Sequence, residues 1–233
     1  MFPKGVEMRR AYVIGLWMAE GFLQADQGND MATIGNKFCN LLLQNSLLQV
    51  VNRDDYGNVI SCNMHDLVHD LARSVLGSKS ICASDNVSDE IRQARYMSLK
   101  SVGDESCAIS KEAAKYVRVL LFEGKVFHDM LLDFKSLHVL ILKGKDVEEL
   151  PISIGKLIHL RFVDISYTRI EYLPDPIEKL YYLQTLIVDE AYFKKLPNTL
   201  KHLVSLRHLH IPNIELPLEI GELTSLRTLP YFK

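Results

Sequence analysis

Large apolar residues recur at a fixed spacing through the second half of the chain. The pattern L-x-x-L-x-L starts at Leu137, Leu160, Leu183 and Leu206, and a further copy starts at Leu226. Leu-Pro pairs recur in step with these starts, with their prolines at Pro151, Pro174, Pro197 and Pro217. The leucine starts are 23 residues apart in the first three intervals and 20 in the last, and the prolines are 23, 23 and 20 residues apart. Two markers with nearly the same spacing indicate internal repeats.

Each repeat is predicted to form a short strand and a turn. A strand sends alternate residues inward, which in the first two clear repeats are Leu140, Leu142, Val163 and Ile165. Later apolar residues close the turn from the convex side, namely Ile154, Leu157, Ile177, Leu180, Leu200 and Leu203. One repeat cannot bury its own leucines, so neighbouring repeats must stack. The pattern predicts a leucine-rich-repeat solenoid with a parallel concave sheet.

Two weaker copies precede the clear repeats. Residues 95–99 and 117–121 show the same apolar pattern and predict two further strands. A repeat domain over residues 95–233, with about six or seven strands, is expected. Each Leu-Pro proline excludes a regular strand or helix interior and favours an extended convex segment.

The outward positions of the strands predict a protein-binding surface. They mix aromatic, aliphatic and ionisable groups, which suits recognition of a protein surface, and they contain no catalytic constellation. The predicted partner-binding residues are Phe162, Asp164, Tyr167, Ile187, Asp189, His208 and His210. The alternative is that these positions only decorate the solenoid and that the binding residues belong to repeats outside this chain.

Residues 1–76 show no repeat and predict helices. Met8–Leu23 carries apolar residues at helical spacing, which predicts a buried helix with Ala11, Ile14, Met18 and Phe22 on its inward stripe. Asp30 is a predicted N-cap for a second helix from Met31 to about Leu48. The inward face of that second helix is predicted to be Ile34, Phe38, Leu41, Leu42 and Leu48.

A hairpin and a third helix follow. Residues 49–53 and 59–63 flank a turn-rich segment, Asp54 to Asn58, and a helix is predicted from His65 to about Leu76. Two helices, a hairpin and a helix suggest a winged-helix unit. The fold class is therefore predicted as α/β: a winged-helix subdomain over residues 1–76, a connector over 77–94, and the solenoid.

Charge argues against the nucleic-acid binding that winged helices often perform. Residues 1–76 contain six Lys and Arg (at 4, 9, 10, 37, 53 and 73) against eight Asp and Glu (at 7, 20, 26, 30, 54, 55, 66 and 70). A duplex-binding module needs a positive face to release counterions from the phosphates. With a formal charge of −2 for the whole chain, neither nucleic acid nor an anionic membrane is an expected partner.

Cysteine usage and hydropathy favour a cytoplasmic protein. The four cysteines are scattered without a close pair, which favours reduced thiols over disulfides or zinc. No run of 18 apolar residues is present, so no integral membrane segment is predicted. The first residues also lack the basic and apolar regions of a secretory signal.

A metal site at His65 and His69 is disfavoured. Two histidines at positions i and i+4 share a helical face and could bind zinc. In the protease motif with this spacing, Glu stands where this chain has Asp66, whose side chain is shorter. No third ligand is evident nearby, so no metal and no catalytic residue are predicted.

Four segments together resemble a known family. They are Phe2-Pro3-Lys4, the run L-W-M-A-E-G-F-L over residues 16–23, Ile34-Gly35-Asn36, and M-H-D-L-V-H-D-L-A over residues 64–72. In this order they resemble the nucleotide-binding (NB-ARC), leucine-rich-repeat disease-resistance proteins of plants, and the L-W-M-A-E-G-F-L run is similar to the coiled-coil class. The resemblance covers essentially the whole chain.

The resemblance implies a nucleotide-operated switch in plant innate immunity. Family members are held closed by ADP, and perception of a pathogen lets ATP replace it. Met64, His65 and Asp66 match the family's M-H-D motif, which implies that His65 faces the ADP phosphates and that Asp66 supports it. The alternative from the residues alone is that His65 only caps its helix.

The chain also departs from the family pattern. It contains no G-x-x-x-x-G-K-[ST] loop and no apolar strand that ends in paired acids. Tight nucleotide binding by this chain is therefore not expected, and ADP or ATP would be a cofactor only of a full-length receptor. The family's chain continues on both sides, so we expect this to be a fragment that begins at an internal methionine.

Two classes of function remain open at this point. The preferred interpretation is part of an immune receptor, whose repeats bind a pathogen effector, a guarded host protein, or the receptor's own nucleotide-binding and coiled-coil domains. The alternative is a stand-alone adaptor or decoy that uses the solenoid as a scaffold without nucleotide switching. A third possibility is a degenerate gene product with no role.

Overall fold

The chain folds into two compact units, Met1–Ser80 and Ile81–Lys233. A computed structural model describes residues 3–24, 29–82, 94–100, 110–126, 129–189, 192–212 and 214–228. Each unit has its own apolar core.

Among its described residues, the first unit combines three α-helices with a small antiparallel sheet. Its elements in chain order are β1 (Met8–Arg9), α1 (Arg10–Glu20), α2 (Met31–Gln44), β2 (Leu48–Arg53), β3 (Val59–Met64) and α3 (Asp66–Leu76). The sheet order is β1-β3-β2, and both strand pairs are antiparallel. The predicted order of two helices, a hairpin and a helix is confirmed.

Helix α1 is shorter than the predicted helix over Met8–Leu23. It ends at Gly21, whose left-handed backbone (φ 78°) returns amide groups to the last carbonyls of the helix. The prediction that Phe22 lies on the inward stripe is wrong, because Phe22 follows this cap and is exposed. Ala11 is exposed as well, whereas Ile14 and Met18 are buried as predicted.

Helix α2 begins as predicted but turns a different face inward. The Asp30 carboxylate accepts a hydrogen bond from the Thr33 backbone N–H over 2.8 Å, which confirms the N-cap. The helix ends at Gln44, and Leu48, predicted to lie in it, opens β2 instead.

The buried residues of α2 are Gly35 and Cys39, whereas Phe38 and Leu41 are exposed, against the prediction. A Cβ at Gly35 would lie 2.5 Å from Cγ2 of Ile14, so the close contact with α1 is made at this glycine. Gly35 therefore determines which face of α2 is inward, because a bulky side chain there would separate the two helices.

The hairpin turn is organised by one carboxylate. Asp54 accepts hydrogen bonds from the backbone N–H groups of Tyr56 (3.0 Å) and Asn58 (2.7 Å) and from the Asn58 side chain (2.9 Å). These bonds, first that of the Asn58 side chain, hold the pKa of Asp54 below its ordinary value. Gly57 supplies the positive φ that the turn needs (84°). The predicted hairpin is confirmed.

The second unit is a stack of strands. Among the described residues its sheet has the order β10-β9-β8-β7-β6-β5-β4. The strands are β4 (Ser80–Cys82), β5 (Tyr96–Lys100), β6 (Val119–Glu123), β7 (Val139–Lys143), β8 (Phe162–Asp164), β9 (Thr185–Ile187) and β10 (His208–His210), and a short helix α4 (Lys111–Ala114) lies before β6. All pairs from β5 to β10 are parallel. The sequence did not predict β4.

The predicted stacking of leucines is confirmed. Equivalent positions pair across the strands, so that Leu140 is the register partner of Val163, and Val163 that of Leu186. These three side chains are fully buried in one continuous core. The predicted convex residues Ile154, Leu157, Ile177, Leu180, Leu200 and Leu203 belong to the same core.

The proline of each clear repeat leads into one turn of 3-10 helix. Pro151, Pro174, Pro197 and Pro217 have extended backbone (φ −60° to −72°, ψ 143° to 147°). The 3-10 turns that follow are Ile152–Lys156, Asp175–Lys179, Asn198–His202 and Leu218–Glu222. The extended geometry predicted for the prolines is therefore confirmed, and the sequence did not predict the 3-10 turns.

A matched pair of glycines tests how closely the repeats stack. Gly155 and Gly221 occupy the same place, four residues after the repeat proline. A Cβ at Gly155 would lie 2.7 Å from the Cβ and the carbonyl oxygen of Pro176 in the next repeat, whereas a Cβ at Gly221 meets nothing within 4 Å.

We expect Gly155→Ala to lower the free energy of unfolding by about 1–3 kcal/mol, because backbone must shift to admit the methyl group. Gly221→Ala should change it by less than about 0.5 kcal/mol. Urea unfolding followed by circular dichroism measures both. Equal effects of the two substitutions would show that the repeats are not in close contact at Gly155.

Candidate functional site

The segment predicted to sense nucleotide lies at the junction of β3 and α3. Met64 is the last residue of β3 and pairs with Leu48 of β2. His65 is the N-cap of α3, and Asp66 is the first residue of the helix. Met64 is half-buried, whereas His65 and Asp66 are exposed. The sharp change from strand to helix thus presents His65 on the surface.

His65 caps α3 with its ring. Nδ1 of His65 accepts a hydrogen bond from the Leu67 backbone N–H over 3.2 Å. The capping role considered from the sequence is therefore present in the structure. Because Nδ1 is the acceptor, a neutral His65 ring carries its proton on Nε2, which leaves that nitrogen as a hydrogen-bond donor. Asp66 places a negative charge in the first helical turn, where the helix dipole favours it.

Helix α3 exposes its apolar side chains. Leu67, Leu71 and Val75 follow one another at intervals of four residues and lie on one face. They are 73%, 62% and 76% exposed, and α3 has no buried residue. The sequence predicted a helix here but not that its apolar residues would be uncovered. We call these three residues the α3 face.

Two motifs that are far apart in the sequence meet on α3. The Lys4 ammonium donates a hydrogen bond to the Asp70 carboxylate over 2.7 Å. This bond is the main cause that holds the pKa of Asp70 below its ordinary value. Both groups are exposed, so the ion pair contributes little to stability. The ion pair joins Lys4, the last residue of the F-P-K motif, to α3. The sequence alone did not indicate this contact.

The His65 and His69 pair does not form a metal centre within the described part of the chain. No group of three or more His, Cys, Asp or Glu residues in that part is placed to hold a metal ion. The ring of His65 is engaged in capping α3 instead.

The predicted partner-binding residues lie together on neighbouring strands. Phe162 is the register partner of Thr185, which is in turn that of His208. The next outward column is Asp164, Ile187 and His210. Tyr167 and Asp189 are adjacent as well, because the Tyr167 backbone N–H donates a hydrogen bond to the Asp189 carbonyl oxygen. The structure therefore brings all seven residues into one region.

The seven predicted partner-binding residues differ in how far they are exposed to solvent. Phe162, Asp164 and Ile187 are buried, Asp189, His208 and His210 are half-buried, and Tyr167 is exposed. Tyr167 also has a positive φ of 61°, unusual for a residue with a large side chain. Asp164 accepts a hydrogen bond from the Ser166 backbone N–H (2.9 Å), and Nδ1 of His208 hydrogen-bonds to the Thr228 hydroxyl (2.9 Å). The assignment of the seven residues to a partner remains a prediction, with Tyr167 the most accessible of them.

Comparison with known families agrees with the two units. The family model described as the winged helix domain of disease resistance proteins matches residues 1–72. The model of a leucine-rich repeat region matches residues 116–233. The chain is thus a winged-helix unit joined to a leucine-rich-repeat solenoid.

Curated relatives are similar over most of the chain. Disease resistance protein RGA1 of Solanum bulbocastanum is 33% identical over 71% of this chain. RPP13 of Arabidopsis thaliana is 33% identical over 71%, and RGA5 of Oryza sativa subsp. japonica is 32% identical over all of it. The chain belongs to the plant nucleotide-binding, leucine-rich-repeat disease resistance proteins. It spans only 15%, 20% and 22% of the lengths of these three relatives, respectively.

A solved structure supports the solenoid fold. A leucine-rich-repeat protein of Leptospira interrogans superposes with a TM-score of 0.51, at 24% identity, over 58% of this chain and 36% of its own. This likeness concerns the fold alone. Among the described residues, no helix has the length and apolar character required to span a bilayer.

Two substitutions of His65 test whether its ring stabilises α3 as an N-cap. His65→Ala removes the acceptor for the Leu67 N–H and should lower the free energy of unfolding by up to about 1 kcal/mol, whereas His65→Ser supplies a hydroxyl acceptor and should restore most of it. Thermal unfolding of the 233-residue chain measures the difference. If Ala and Ser variants are equally destabilised, the ring does not act as a cap.

Proposed function

We propose that this chain is the nucleotide-sensing and recognition part of a non-catalytic plant immune receptor that acts in the cytoplasm. His65 reports the nucleotide state, and the repeats bind proteins. The observation that carries this proposal is the position of His65, exposed at the N-terminus of α3 with Nδ1 engaged by the Leu67 N–H.

This geometry suits a nucleotide phosphate. The N-terminus of a helix favours negative charge, because its dipole and its first N–H groups point toward the ligand. With Nδ1 occupied, the Nε2–H of His65 is oriented outward as a donor. A phosphate oxygen of ADP would accept from it without displacing the cap. Met64 and Asp66 hold this residue between the end of β3 and the first turn of α3.

The nucleotide itself would be held by another part of the receptor. This chain has no G-x-x-x-x-G-K-[ST] loop, and it spans about a fifth of the length of its relatives RPP13 and RGA5. The α3 face supports this arrangement, since three adjacent apolar side chains beside His65 are exposed to solvent. A nucleotide-binding domain that packs on the α3 face would bury them and bring its ligand to His65.

The repeats would provide the recognition surface. Outward side chains of β8, β9 and β10 lie side by side, because the strands are parallel and in register. Tyr167 and the half-buried Asp189, His208 and His210 combine an aromatic ring with ionisable groups, as protein interfaces do. The partners would be a pathogen effector, a guarded host protein, or the receptor's own nucleotide-binding and coiled-coil domains.

The sensing role predicts a loss of bound ADP in a full-length receptor. We expect both His65→Ala and His65→Ser to purify with less ADP than the unmodified receptor, because each removes the Nε2–H donor. Both should also cause cell death without a pathogen when expressed in leaves. Bound nucleotide is quantified by chromatography after denaturation.

His65→Ser is the informative variant, because it retains a cap for α3. If only His65→Ala loses ADP, the effect comes from a weakened helix and His65 is not a sensor. If neither variant changes ADP content or activity while partner binding persists, the chain functions as a scaffold, as the adaptor interpretation holds.

A matched pair of tyrosines tests the recognition surface. Tyr167 and Tyr181 are 55% and 54% exposed, but Tyr167 follows strand β8 whereas Tyr181 follows a 3-10 turn. Tyr167→Ala should weaken binding to the separately expressed nucleotide-binding and coiled-coil domains of the receptor by about tenfold or more, as for an aromatic residue central to an interface. Tyr181→Ala should leave binding unchanged. Calorimetric titration measures both, and equal effects would place the interface elsewhere.

A further inference from the structure

Two buried thiols share one small core inside the first unit. Cys39 is on α2 and Cys62 is on β3, and both are fully buried. They belong to one small core together with Met8, Val13 and Leu48. The two residues are 23 positions apart in the sequence and lie on different elements. Only the packing of α2 against the sheet brings them together.

Each thiol affects the ionisation of the other. The interaction between the two side chains is the main cause that lowers the pKa of Cys39 and raises that of Cys62. The Cys62 thiol donates to the carbonyl oxygen of Met8 over 3.9 Å. A disulfide needs its sulfurs about 2.05 Å apart, so the bond would form when these two side chains of one core approach each other.

A fixed positive charge lies close to the pair. Arg10 of α1 donates hydrogen bonds to the Asn36 side chain (2.7 Å), the Asn36 carbonyl oxygen (2.9 Å) and the Asn40 side chain (2.8 Å). These bonds hold the guanidinium against the turns of α2 that carry Cys39. Its charge stabilises a thiolate on either cysteine. The surroundings therefore favour thiol chemistry at a place where burial alone would suppress it.

We propose that Cys39 and Cys62 form a redox modification site, which a hydroperoxide such as hydrogen peroxide converts into an intramolecular disulfide. The Cys39 thiolate attacks one peroxide oxygen, the O–O bond breaks, and Cys39 becomes a sulfenic acid while hydroxide leaves. The Cys62 thiol then attacks the sulfenic sulfur, the S–O bond breaks, and water leaves. In total, two thiols and one peroxide give one disulfide and two waters.

Burial of the pair determines the order of events. A small oxidant reaches Cys39 only when this core of five buried residues opens locally. Once Cys39 is oxidised, Cys62 is the adjacent partner, so the disulfide forms before further oxidation of Cys39. The bond would tie α2 to the strand that leads to Met64. An effect on nucleotide sensing would rest on the proposed function, whereas the modification itself does not.

Peptide mapping of the full 233-residue chain tests the proposal. Trypsin cleavage after Lys37, Arg53 and Arg73 places Cys39 in peptide 38–53 and Cys62 in peptide 54–73. Cleavage elsewhere leaves Cys82 and Cys107 in two further peptides, 80–92 and 101–111. The folded chain is treated with hydrogen peroxide, unfolded, alkylated and digested without reductant.

We expect peptides 38–53 and 54–73 joined in one species, which dithiothreitol separates. The Cys82→Ser/Cys107→Ser variant leaves the pair intact and should give the same product. Cys39→Ala should give no linked peptide 54–73, and its fold is checked by circular dichroism. In the unmodified chain the oxidised form should unfold at a higher urea concentration than the reduced form.

Three results would overturn the proposal. One is that both peptides are fully alkylated after peroxide treatment. Another is that the main linked species contains Cys82 or Cys107. The last is that Cys39 or Cys62 is found as sulfinic or sulfonic acid without the disulfide. Because the Cys82→Ser/Cys107→Ser variant keeps both Cys39 and Cys62, its result decides even if Cys39→Ala fails to fold.

Discussion

The structure of the second unit depends on one constraint: no repeat can bury its own leucines. A strand of three to five residues and one 3-10 turn enclose too little volume, so the inward side chains of each repeat must pack against those of the next. The parallel register of β5 to β10 follows from this stacking. The same register aligns the outward residues in columns, and it places Phe162, Asp164 and Ile187 beside His208 and His210. The alignment of these outward positions is therefore a consequence of core packing.

In the first unit, single residues determine where helices pack, where they end and where the chain turns. Gly35 allows α2 to approach Ile14, Gly21 ends α1, and Asp54 organises the hairpin turn. The last junction, at His65, is also the candidate sensor, because the ring that caps α3 keeps a donor toward solvent. The α3 face beside it exposes three apolar side chains, as surfaces that take part in interactions often do. A structural cap and a nucleotide sensor are thus compatible in one side chain.

Much of the solenoid could be predicted from sequence, because its period is regular and its inward leucines occur at fixed positions. Prediction failed where one small residue overrides an apolar pattern, as Gly35 does when it turns Phe38 and Leu41 outward. It also failed where a cap ends a helix early, so that Phe22 is exposed after Gly21. The motif around His65 was found by resemblance, and its hydrogen bond to Leu67 follows the ordinary rule for N-caps. Neither the burial of Phe162 nor the shared core of Cys39 and Cys62 could be predicted, since both depend on how distant elements pack.

The proposed function makes this chain one part of a nucleotide-operated receptor. Sequencing of full-length transcripts across the 5′ side of this reading frame tests that proposal. We expect the frame to continue upstream of the Met1 codon and to encode a G-x-x-x-x-G-K-[ST] loop, which would supply the phosphate contacts that this chain lacks. An in-frame stop codon directly upstream, with a protein of 233 residues detected in the plant, would contradict it and leave the repeats as the functional surface.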